Sequence, residues 1–454
     1  MKTERRKSNV VIVGGGASGF AAAVELGMSS PDLSVLVIEK MAEPGRKIRA
    51  TGSGRCNITN TNAAGYNRIM EFFTRIGLVT RAYDNGLVYP YSESAADVAE
   101  LLIARAKSLG VDFCCGEEAV SIRSMEEEVV SNKKSEGEAV SINKVEEAAA
   151  SYKTDEGEPA ANKEKKEETV SPRFVIESVY KDGKGEHRVI TEADYVVLAT
   201  GGKAGPTYGT TGDGYRLARE LGHSIVTPVP VLTGIECREW EDGAVSLGGT
   251  RMQGVVSLYK KGADKTPIFQ EAGEVQFTKY GLSGICVFNM TRCMRLDRDK
   301  GESLEDFIVR VNLFPEGNFS DYIYALRKGD FSEMPAGEIL RTALKESLAD
   351  YVAGRIDKDK PVSMLDEEEI QSICNMVHNM EFHPVRLRGW KDAQATSGGV
   401  SLDEIDEVTS ESKIVPRLYI TGELADKDFQ CGGFNLSNAW LMGLAAADDI
   451  SGKC

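Results

Sequence analysis

The residues best suited to chemistry form a glycine-rich turn near the start of the chain, in VVIVGGGASGFAAAVELG at residues 10–27. Gly14, Gly16 and Gly19 follow an apolar run and precede an alanine-rich run, which is the order of a strand, a tight turn and a helix. The first glycine of this spacing permits the turn, the second lets a pyrophosphate approach the backbone, and the third lets the helix pack closely on the strand. The start of such a helix also offers free N–H groups to a phosphate.

An acidic residue completes this pattern. The apolar stretch SVLVIEK carries Glu39, 20 residues after Gly19. A carboxylate at this position accepts hydrogen bonds from a ribose diol and disfavours a 2′-phosphate. Residues 10–40 therefore predict a βαβ unit that binds the adenosine diphosphate part of NAD or FAD, and the motif by itself does not distinguish the two. A glycine turn in an unrelated α/β protein is the alternative.

The last part of the chain favours FAD. In YITGELADKDFQCGGFNLSNAWLMG, Gly422 and Glu423 end a strand, and CGGFN is expected to open a helix at about Asn435. The N-terminus of that helix would hold the negative charge of a reduced flavin, and the Glu423 carboxylate would accept hydrogen bonds from a ribityl chain. Asn435 as a plain helix cap, with the glycines as turn formers, is the alternative. The two motifs together favour the flavin interpretation.

Five longer stretches resemble a known family. They are GRKIRATGSGRCNITN, VVLATGGKAGPTYGTTGDGY, FTKYGLSG, ATSGGV and ITGELADKDFQCGGFNLSNAW. These stretches are similar to the signature blocks of BaiN/RdsA-type flavoproteins, a glutathione-reductase-like branch of NAD(P)/FAD-dependent oxidoreductases. The resemblance extends over nearly the whole chain except residues 124–170. It implies an α/β fold with a discontinuous Rossmann-type FAD domain, a β-barrel insertion and a helical insertion.

The resemblance also implies a set of contacts to FAD, from the pyrophosphate turn to the flavin ring. The implied residues are Gly14, Gly15, Gly16, Ala17, Ser18 and Gly19 at the pyrophosphate; Glu39 and Lys40 at the adenosine ribose; Arg46, Lys47, Ser53, Gly54, Arg55, Cys56 and Asn57 around the diphosphate and toward the flavin; the backbone of Val120 at adenine; Thr200, Gly201 and Gly202 beneath the cofactor; and Gly422, Glu423, Asn435, Leu436 and Ala439 at the ribityl and isoalloxazine end.

The stretch MAEPGRKIRATGSGRCNITNTN after Glu39 is expected to be a long loop rich in Gly and Arg. Arg46, Lys47, Arg49 and Arg55 concentrate positive charge within ten residues of it. Such charge suits a diphosphate and an electron-rich reduced flavin. A solvated basic loop is the alternative.

The chain divides by composition and by the resemblance into four regions. Residues 124–170 are rich in Glu, Lys, Ser and Ala and are predicted to be a disordered insertion in a hairpin; a charged docking arm is the alternative. The other predicted regions are a Rossmann-type FAD domain of residues 1–123, 171–204 and 394–454, a β-barrel-like domain of 205–276 and 381–393, and a mainly helical domain of 277–380.

No catalytic acid stands out in the sequence. Tyr208, Lys203 and His383 are candidate proton donors, and Cys56 and Cys431 are candidate thiols, although a structural role is favoured for each. A second G-x-G-x-x-G fingerprint is missing from the sequence. We therefore expect NAD(P)H to dock transiently over the flavin, or else electrons to come from the substrate and leave to dioxygen.

The resemblance implies an FAD-dependent oxidoreductase acting on a small organic molecule. One branch reduces conjugated C=C bonds of 3-oxo-Δ4,6 bile acid intermediates in 7α-dehydroxylation, with NAD(P)H as donor. Another branch resembles aminoacetone oxidase and releases hydrogen peroxide. A flavin-binding sensor or scaffold without catalysis is a further alternative, since function depends on the pocket rather than on the fold.

The charge and composition of the sequence limit the classes of binding partner that we expect. The formal net charge of -16 disfavours a surface for nucleic acid or acidic membranes. The apolar run Val10–Val13 is too short for a secretory signal, and no run approaches the length of a membrane span, so a cytoplasmic protein is predicted. The nine cysteines and four histidines lack metal-ligand spacing, so no metal site is expected.

Overall fold

The computed structural model describes residues 3–125, 173–240, 247–263, 265–296 and 302–454. The predicted insertion lies outside the described residues from position 126 to position 170. The strands in the described part are β1 Thr3–Val13, β2 Val35–Glu39, β3 Thr59–Asn60, β4 Thr80–Ala82, β5 Leu87–Pro90, β6 Asp112–Cys115, β7 Glu117–Ser124, β8 Phe174–Asp182, β9 Gly185–Leu198, β10 Ile225–Val231, β11 Ile235–Cys237, β12 Arg251–Lys260, β13 Phe269–Phe277, β14 Gly281–Ser283, β15 Phe307–Asn312, β16 Met380–Phe382, β17 Pro384–Leu387, β18 Ala395–Val400 and β19 Leu418–Ile420.

The helices connect these strands and cover their faces. They are α1 Ala17–Ser29, α2 Arg46–Ala50, α3 Tyr66–Arg75, α4 Ala95–Ser108, α5 Asp213–Glu220, α6 Ile285–Thr291, α7 Phe319–Arg327, α8 Ala336–Ala343, α9 Glu346–Ala353, α10 Glu367–His378 and α11 Phe434–Lys453. Among the described residues, no helix is both long and apolar enough to cross a membrane.

The first sheet has a parallel core. Its strands run β6-β2-β1-β9, and the far edge of β9 pairs with β19 in parallel and with β8 antiparallel. β7 then pairs antiparallel with β8, with Ser124 opposite Phe174. β1 pairs with β2 through Val10 and Val35 and is buried from Val10 to Ile12, as expected for a strand covered on both faces. The predicted α/β fold of the Rossmann type is confirmed.

Alternate residues of the parallel strands enter two different cores. Val10 and Ile12 pack in one core with helices α1, α4 and α11. Val11 and Val13 pack in another core with α5 and with residues of β7 and β8. The period of two along a strand sends neighbouring side chains to opposite faces, so the helices sandwich the sheet.

The second sheet curls on itself. Its strand order is β16-β15-β12-β13-β14-β11-β17, and every pair is antiparallel. The two strands at its ends, β16 and β17, are separated in the chain by His383 alone. The two edges of the sheet must therefore approach each other. Its core is shared with α6 to α10.

Two parts of the chain differ from the sequence expectation in detail. The segment expected to be mainly helical also contributes β14 and β15 to the second sheet, because FIVRVN alternates buried and half-buried residues with the period of a strand. The stretch after Glu39, expected to be a loop, contains α2 and β3, and β3 joins β5 and β4 in a small sheet. The many glycines of this stretch favour a loop by composition, so composition did not predict these short elements.

Candidate functional site

The main cavity lies along the carboxyl ends of four neighbouring parallel strands. β2, β1, β9 and β19 are adjacent in this order, and the residues that end or follow each of them line the cavity. Three strand spacings of about 4.8 Å make this row roughly 15 Å wide. The cavity has a volume of about 1280 Å³, including its part open to solvent. Ligands of open α/β sheets bind at this edge.

The glycines of the first turn have separate steric roles. Gly14 has φ +108°, and a Cβ there would lie 2.5 Å from the carbonyl oxygen of Ala199 on the neighbouring strand. A Cβ on Gly19 would overlap the carbonyl oxygen of Gly14. At Gly16, by contrast, the nearest protein atom would be 3.9 Å away, and this residue lines the cavity. The backbone at Gly16 therefore faces free space in the cavity, where a ligand can approach it.

This turn presents an anion-binding surface to the cavity. Gly16 caps α1 without a side-chain hydrogen bond, and Ala17 and Ser18 of the first helical turn line the cavity. The N–H groups of a first helical turn have no partner within the helix. Arg46 also lines the cavity, and no carboxylate of the described residues lies within ion-pair distance of it. Free amides and a guanidinium without a close ion pair suit a diphosphate.

Glu39 lies at the end of β2 beside this turn. Its carboxylate oxygens accept hydrogen bonds from the backbone N–H of Gly15 at 2.9 Å and of Met41 at 2.7 Å. Burial raises the pKa of the Glu39 carboxyl, and these two amides oppose the rise. Lys40 also lines the cavity, where its ammonium group pairs with the wall residue Asp213 and donates to Thr211 at 2.5 Å. Glu39 thus remains the acidic group next to the glycine turn.

The opposite end of the cavity is built by the last segment. Glu423 pairs with Lys47 at 2.7 Å and accepts from the backbone N–H of Thr396 at 2.9 Å. The Asn435 side chain donates to the Phe429 carbonyl at 2.8 Å and accepts from the Phe429 N–H at 3.0 Å. Both side chains are engaged with protein groups. The first-turn N–H groups of α11, which Gly433 caps without a side-chain bond, are left to face a ligand.

Thr200 lines the cavity between its two ends. Its hydroxyl is buried and has no hydrogen-bond partner in the described residues. This hydroxyl lies against Gly214 of α5, where a Cβ would come within 1.9 Å of it. An acid at one end, an anion-binding turn and a second helix N-terminus at the other end fit an extended dinucleotide such as FAD.

The structure brings most residues of the predicted site to this one cavity. Those that line it are Gly14, Gly15, Gly16, Ala17, Ser18, Glu39, Lys40, Arg46, Lys47, Thr200, Gly201, Gly422, Glu423, Asn435, Leu436 and Ala439. Those that do not line it are Gly19, Ser53, Gly54, Arg55, Cys56, Asn57, Val120 and Gly202.

The predicted site residues that do not line the cavity make other contacts. Cys56 is fully buried, and burial raises the pKa of its thiol to about 11. The Arg55 guanidinium lies 4.9 Å from the centre of the Tyr89 ring. The Val120 carbonyl accepts a hydrogen bond from Arg216 at 2.8 Å. Val120 falls where the pairing of β7 with β8 shifts register, and the three residues before it line the cavity.

Sequence reasoning missed part of the wall. The missed lining residues include Glu117, Glu118, Ala119, Gly209, Thr210, Asp213, Gln394, Lys427 and Asn438. The stretch TYGTTGDGY, with three glycines in nine residues, was a signal for a turn that closes on a ligand. The others come from separate segments, and their spacing in the sequence carries no sign of the cavity.

The candidate proton donors occupy different positions. Tyr208 lines the cavity. The Lys203 ammonium lies 5.0 Å from the centre of the Trp390 ring, and His383 is held by Glu239 at 2.6 Å. The Cys431 Sγ lies 3.8 Å from the amide oxygen of Gln394, a wall residue, and burial raises the pKa of this thiol to about 12. In the described part of the chain, no cluster of three His, Cys, Asp or Glu side chains could hold a metal.

Comparison with known proteins identifies relatives along the whole chain. A 3-dehydro-bile acid delta(4,6)-reductase of Clostridium scindens is 28% identical, over 97% of this chain and 98% of the relative. A ribosomal RNA dihydrouridine synthase of Haemophilus influenzae is 26% identical over 98% of each chain. The corresponding synthase of Escherichia coli is 24% identical, over 97% of this chain and 98% of the relative.

A family model gives the same assignment. The model described as the HI0933-like protein Rossmann domain matches residues 8–67 and 161–449, which is well over half of the chain. The matched residues include the glycine turn of α1, Glu39 and the start of α11. The chain therefore belongs to the HI0933-like Rossmann family and is an FAD-dependent oxidoreductase.

Proposed function

We propose that this enzyme is a reductase that passes hydride from NAD(P)H, through FAD, to a C=C bond conjugated with a carbonyl group. The observation that carries the proposal is the single cavity that joins an ADP-type site, built by Glu39 and the glycine turn, to the N-terminus of α11. When bound there, FAD supplies two-electron hydride chemistry. The chain supplies binding, orientation and charge.

The names of the relatives support this reaction class. Saturating a Δ4,6 bond of a 3-oxo steroid and forming dihydrouridine from uridine both reduce a C=C bond conjugated with a carbonyl. In such a reaction a hydride adds to the β-carbon and a proton adds to the α-carbon, while NAD(P)H is oxidised to NAD(P)⁺. Because the sequence has no second G-x-G-x-x-G fingerprint, NAD(P)H docks transiently next to the flavin.

Different residues along the cavity bind different parts of FAD. The amides of the first turn of α1 and the Arg46 guanidinium hold the diphosphate. Glu39 accepts from the adenosine ribose. The free amides at the start of α11 hold the negative charge that a reduced flavin develops near N1 and the C2 carbonyl.

The favoured substrate is a small enone of the 3-oxo-Δ4,6 bile acid type. A net charge of -16 opposes binding of a polyanion. The relative named for this activity covers nearly the whole chain at 28% identity. A bile acid carries a single carboxylate on an apolar steroid body and needs no extended cationic surface, so this substrate agrees with the charge of the protein.

A uridine base in RNA is the second candidate, because one exposed sheet face suits it. Arg81 on β4 and Tyr91, which directly follows β5, are exposed, and the Arg81 guanidinium lies 4.2 Å from the centre of the Tyr91 ring. Exposed tyrosines and arginines stack on single-stranded bases. Tyr89, which is paired with Arg81, lies near Gly52, and Gly52 follows the wall residue Thr51 in the chain.

An anaerobic experiment tests both candidates. The purified protein is loaded with FAD, reduced with NADH or NADPH, and mixed with a 3-oxo-Δ4,6 steroid or with a uridine-rich RNA. We expect NAD(P)H to bleach the flavin and the steroid to restore its colour with formation of the saturated product. Restoration by RNA alone, lost in an Arg81→Ala/Tyr91→Ala variant, would select the second candidate. Bleaching by an amine with release of peroxide, and none by NAD(P)H, would overturn the reductase.

A further inference from the structure

Helix α6 packs against the second sheet, yet its side chains also form hydrogen bonds with the loop that leads into α11. The Asn289 side chain, which is 5% exposed, donates to both carboxylate oxygens of Glu271 on β13 at 3.0 Å. Its carbonyl oxygen accepts from the backbone N–H of Cys431 at 2.7 Å. The carboxylate of Glu271 can only accept, so it fixes the orientation of the amide, and the Asn289 oxygen must face Cys431.

A second contact from the end of α6 reaches the same loop. The Arg292 guanidinium donates to the Asp428 carboxylate at 2.6 Å and to the Asp428 carbonyl at 2.8 Å. The Asp428 side chain is only 8% exposed, and it also accepts from Ser397 at 2.8 Å. Charge-assisted bonds in a buried setting are the stronger kind. Asp428 and Cys431 are therefore fixed from the second sheet.

The same short loop is fixed from the other side by α11 itself. Asn435 makes two hydrogen bonds with the backbone of Phe429, between the two anchored positions. Gly433, the cap of α11, follows Cys431 by two residues, and Asn435 and Leu436 line the cofactor cavity. The direction of the first-turn amides of α11 thus depends on where Asn289 and Arg292 hold residues 428–431.

We infer that Asn289 is a positioning residue for the flavin end of the site, acting through the Cys431 amide on the N-terminus of α11. This inference rests on the proposed function, in which those amides face the reduced flavin. A helix N-terminus stabilises an adjacent negative charge only within its first turn, so a small displacement weakens the effect. Loss of Asn289 should weaken binding of reduced FAD more than binding of oxidised FAD.

The test compares Asn289→Ala with Asn312→Ala, an asparagine of the second sheet whose side chain holds Phe314 and His378 instead. The first readout is the midpoint potential of the bound flavin. We expect Asn289→Ala to make it more negative, corresponding to a loss of up to about tenfold in the preference for reduced FAD. We expect Asn312→Ala to leave the potential unchanged. An Arg292→Lys variant, which keeps the charge, gives a milder form of the same test if Asn289→Ala fails to fold.

A second readout needs no cofactor. Amide hydrogen exchange of Cys431 in the apoprotein should accelerate in Asn289→Ala and remain as in the wild type in Asn312→Ala. A normal potential and normal exchange in folded Asn289→Ala would overturn the inference. If instead the wild-type protein takes up no FAD while the exchange result is as expected, the proposed function fails and the contact between α6 and the α11 loop stands.

Discussion

At the residue scale, Gly14 and Gly16 belong to one turn but would respond differently to a side chain. A side chain at Gly14 meets the backbone of Ala199 and requires a strained φ, so it disturbs the fold. A Cβ at Gly16 would have no protein atom closer than 3.9 Å, and Gly16 lines the cavity, so a side chain there has room to enter it. This difference separates the effect of a substitution on stability from its effect on cofactor binding.

We predict that Gly16→Leu yields a folded protein without flavin. The leucine occupies the space next to the first-turn amides of α1, so affinity for FAD should fall at least about a hundredfold, in the range of 3 kcal/mol. The measurement is flavin absorbance per protein together with the melting temperature of the apoprotein. Gly183→Leu is the matched control, because no atom would lie within 4 Å of its Cβ. Stoichiometric flavin in Gly16→Leu would contradict the assigned pyrophosphate site.

His223 gives a residue-scale prediction about pH. This buried imidazole lies 2.9 Å from the Glu404 carboxylate and 2.9 Å from the Ser412 hydroxyl. Burial lowers the pKa of His223 from its ordinary value of 6.5, and Glu404 only partly opposes this. The folded protein therefore takes up a proton less readily than the unfolded chain. The resulting stability is present above about pH 6.5 and is lost as pH falls through the lower folded-state pKa.

The measurement is urea unfolding of the wild type and of His223→Gln at about pH 7.5 and at about pH 5. We expect the wild type to lose more unfolding free energy between these values than the variant, which has no imidazole to protonate. His187→Gln, a change at a more exposed histidine on β9, is the control. Equal losses in the wild type and in His223→Gln would show that His223 is not responsible.

At the element scale, the two helices that present amides to the cavity are packed against each other. A Cβ on Gly443 of α11 would overlap the carbonyl oxygen of Ser18 on α1. Trp440, one turn earlier on α11, is fully buried, and its ring centre lies 5.2 Å from that of Phe73. Close approach of α1 and α11 thus sets the relative position of the two ends of the site.

We predict that Gly443→Ala destabilises the protein by about 1–3 kcal/mol, because the added methyl group forces the two helices apart. Gly452→Ala is the control in the same helix: no atom would lie within 4 Å of its Cβ, so the change should be neutral or slightly stabilising. Chemical denaturation with and without FAD provides the measurement. Equal stability of the two variants would argue against the close helix contact.

At the scale of the whole molecule, residues 126–172 connect two strand ends that already lie side by side. Ser124 is paired with Phe174, and the Met125 N–H donates to the Arg173 carbonyl at 2.9 Å. The two ends of the antiparallel pair are close enough for a short turn to join them. The segment is therefore not needed to bring β7 and β8 together.

We predict that replacing residues 126–172 with a four-residue Gly/Asn turn leaves flavin content and melting temperature close to those of the wild type. The paired strands β7 and β8 and the wall residue Ala119 would keep their positions. Absorbance and thermal unfolding check this, with a replacement of Gly183 and Lys184 in the next hairpin as a matched loop change. Loss of flavin on replacement would assign the segment a part in the site.

The sequence by itself determined the parts of the molecule that depend on local spacing. The glycine turn, the acid at Glu39 and the family resemblance were sufficient to predict an α/β Rossmann fold, an FAD-dependent oxidoreductase and much of the cavity wall. Backbone geometry over a few residues decides whether a turn, a helix start or a strand end can form, so these features are readable without the rest of the chain.

Only the tertiary structure decided which distant segments meet. β19 pairs with β9, which lies more than 200 residues earlier in the chain, and this pairing brings α11 beside the turn of α1. Ala119 reaches the wall of the cavity and Val120 does not. The hold of Asn289 on Cys431 likewise joins two separate parts of the fold. Such contacts arise from the complementary packing of surfaces formed by many residues, and no short stretch of sequence contains that information.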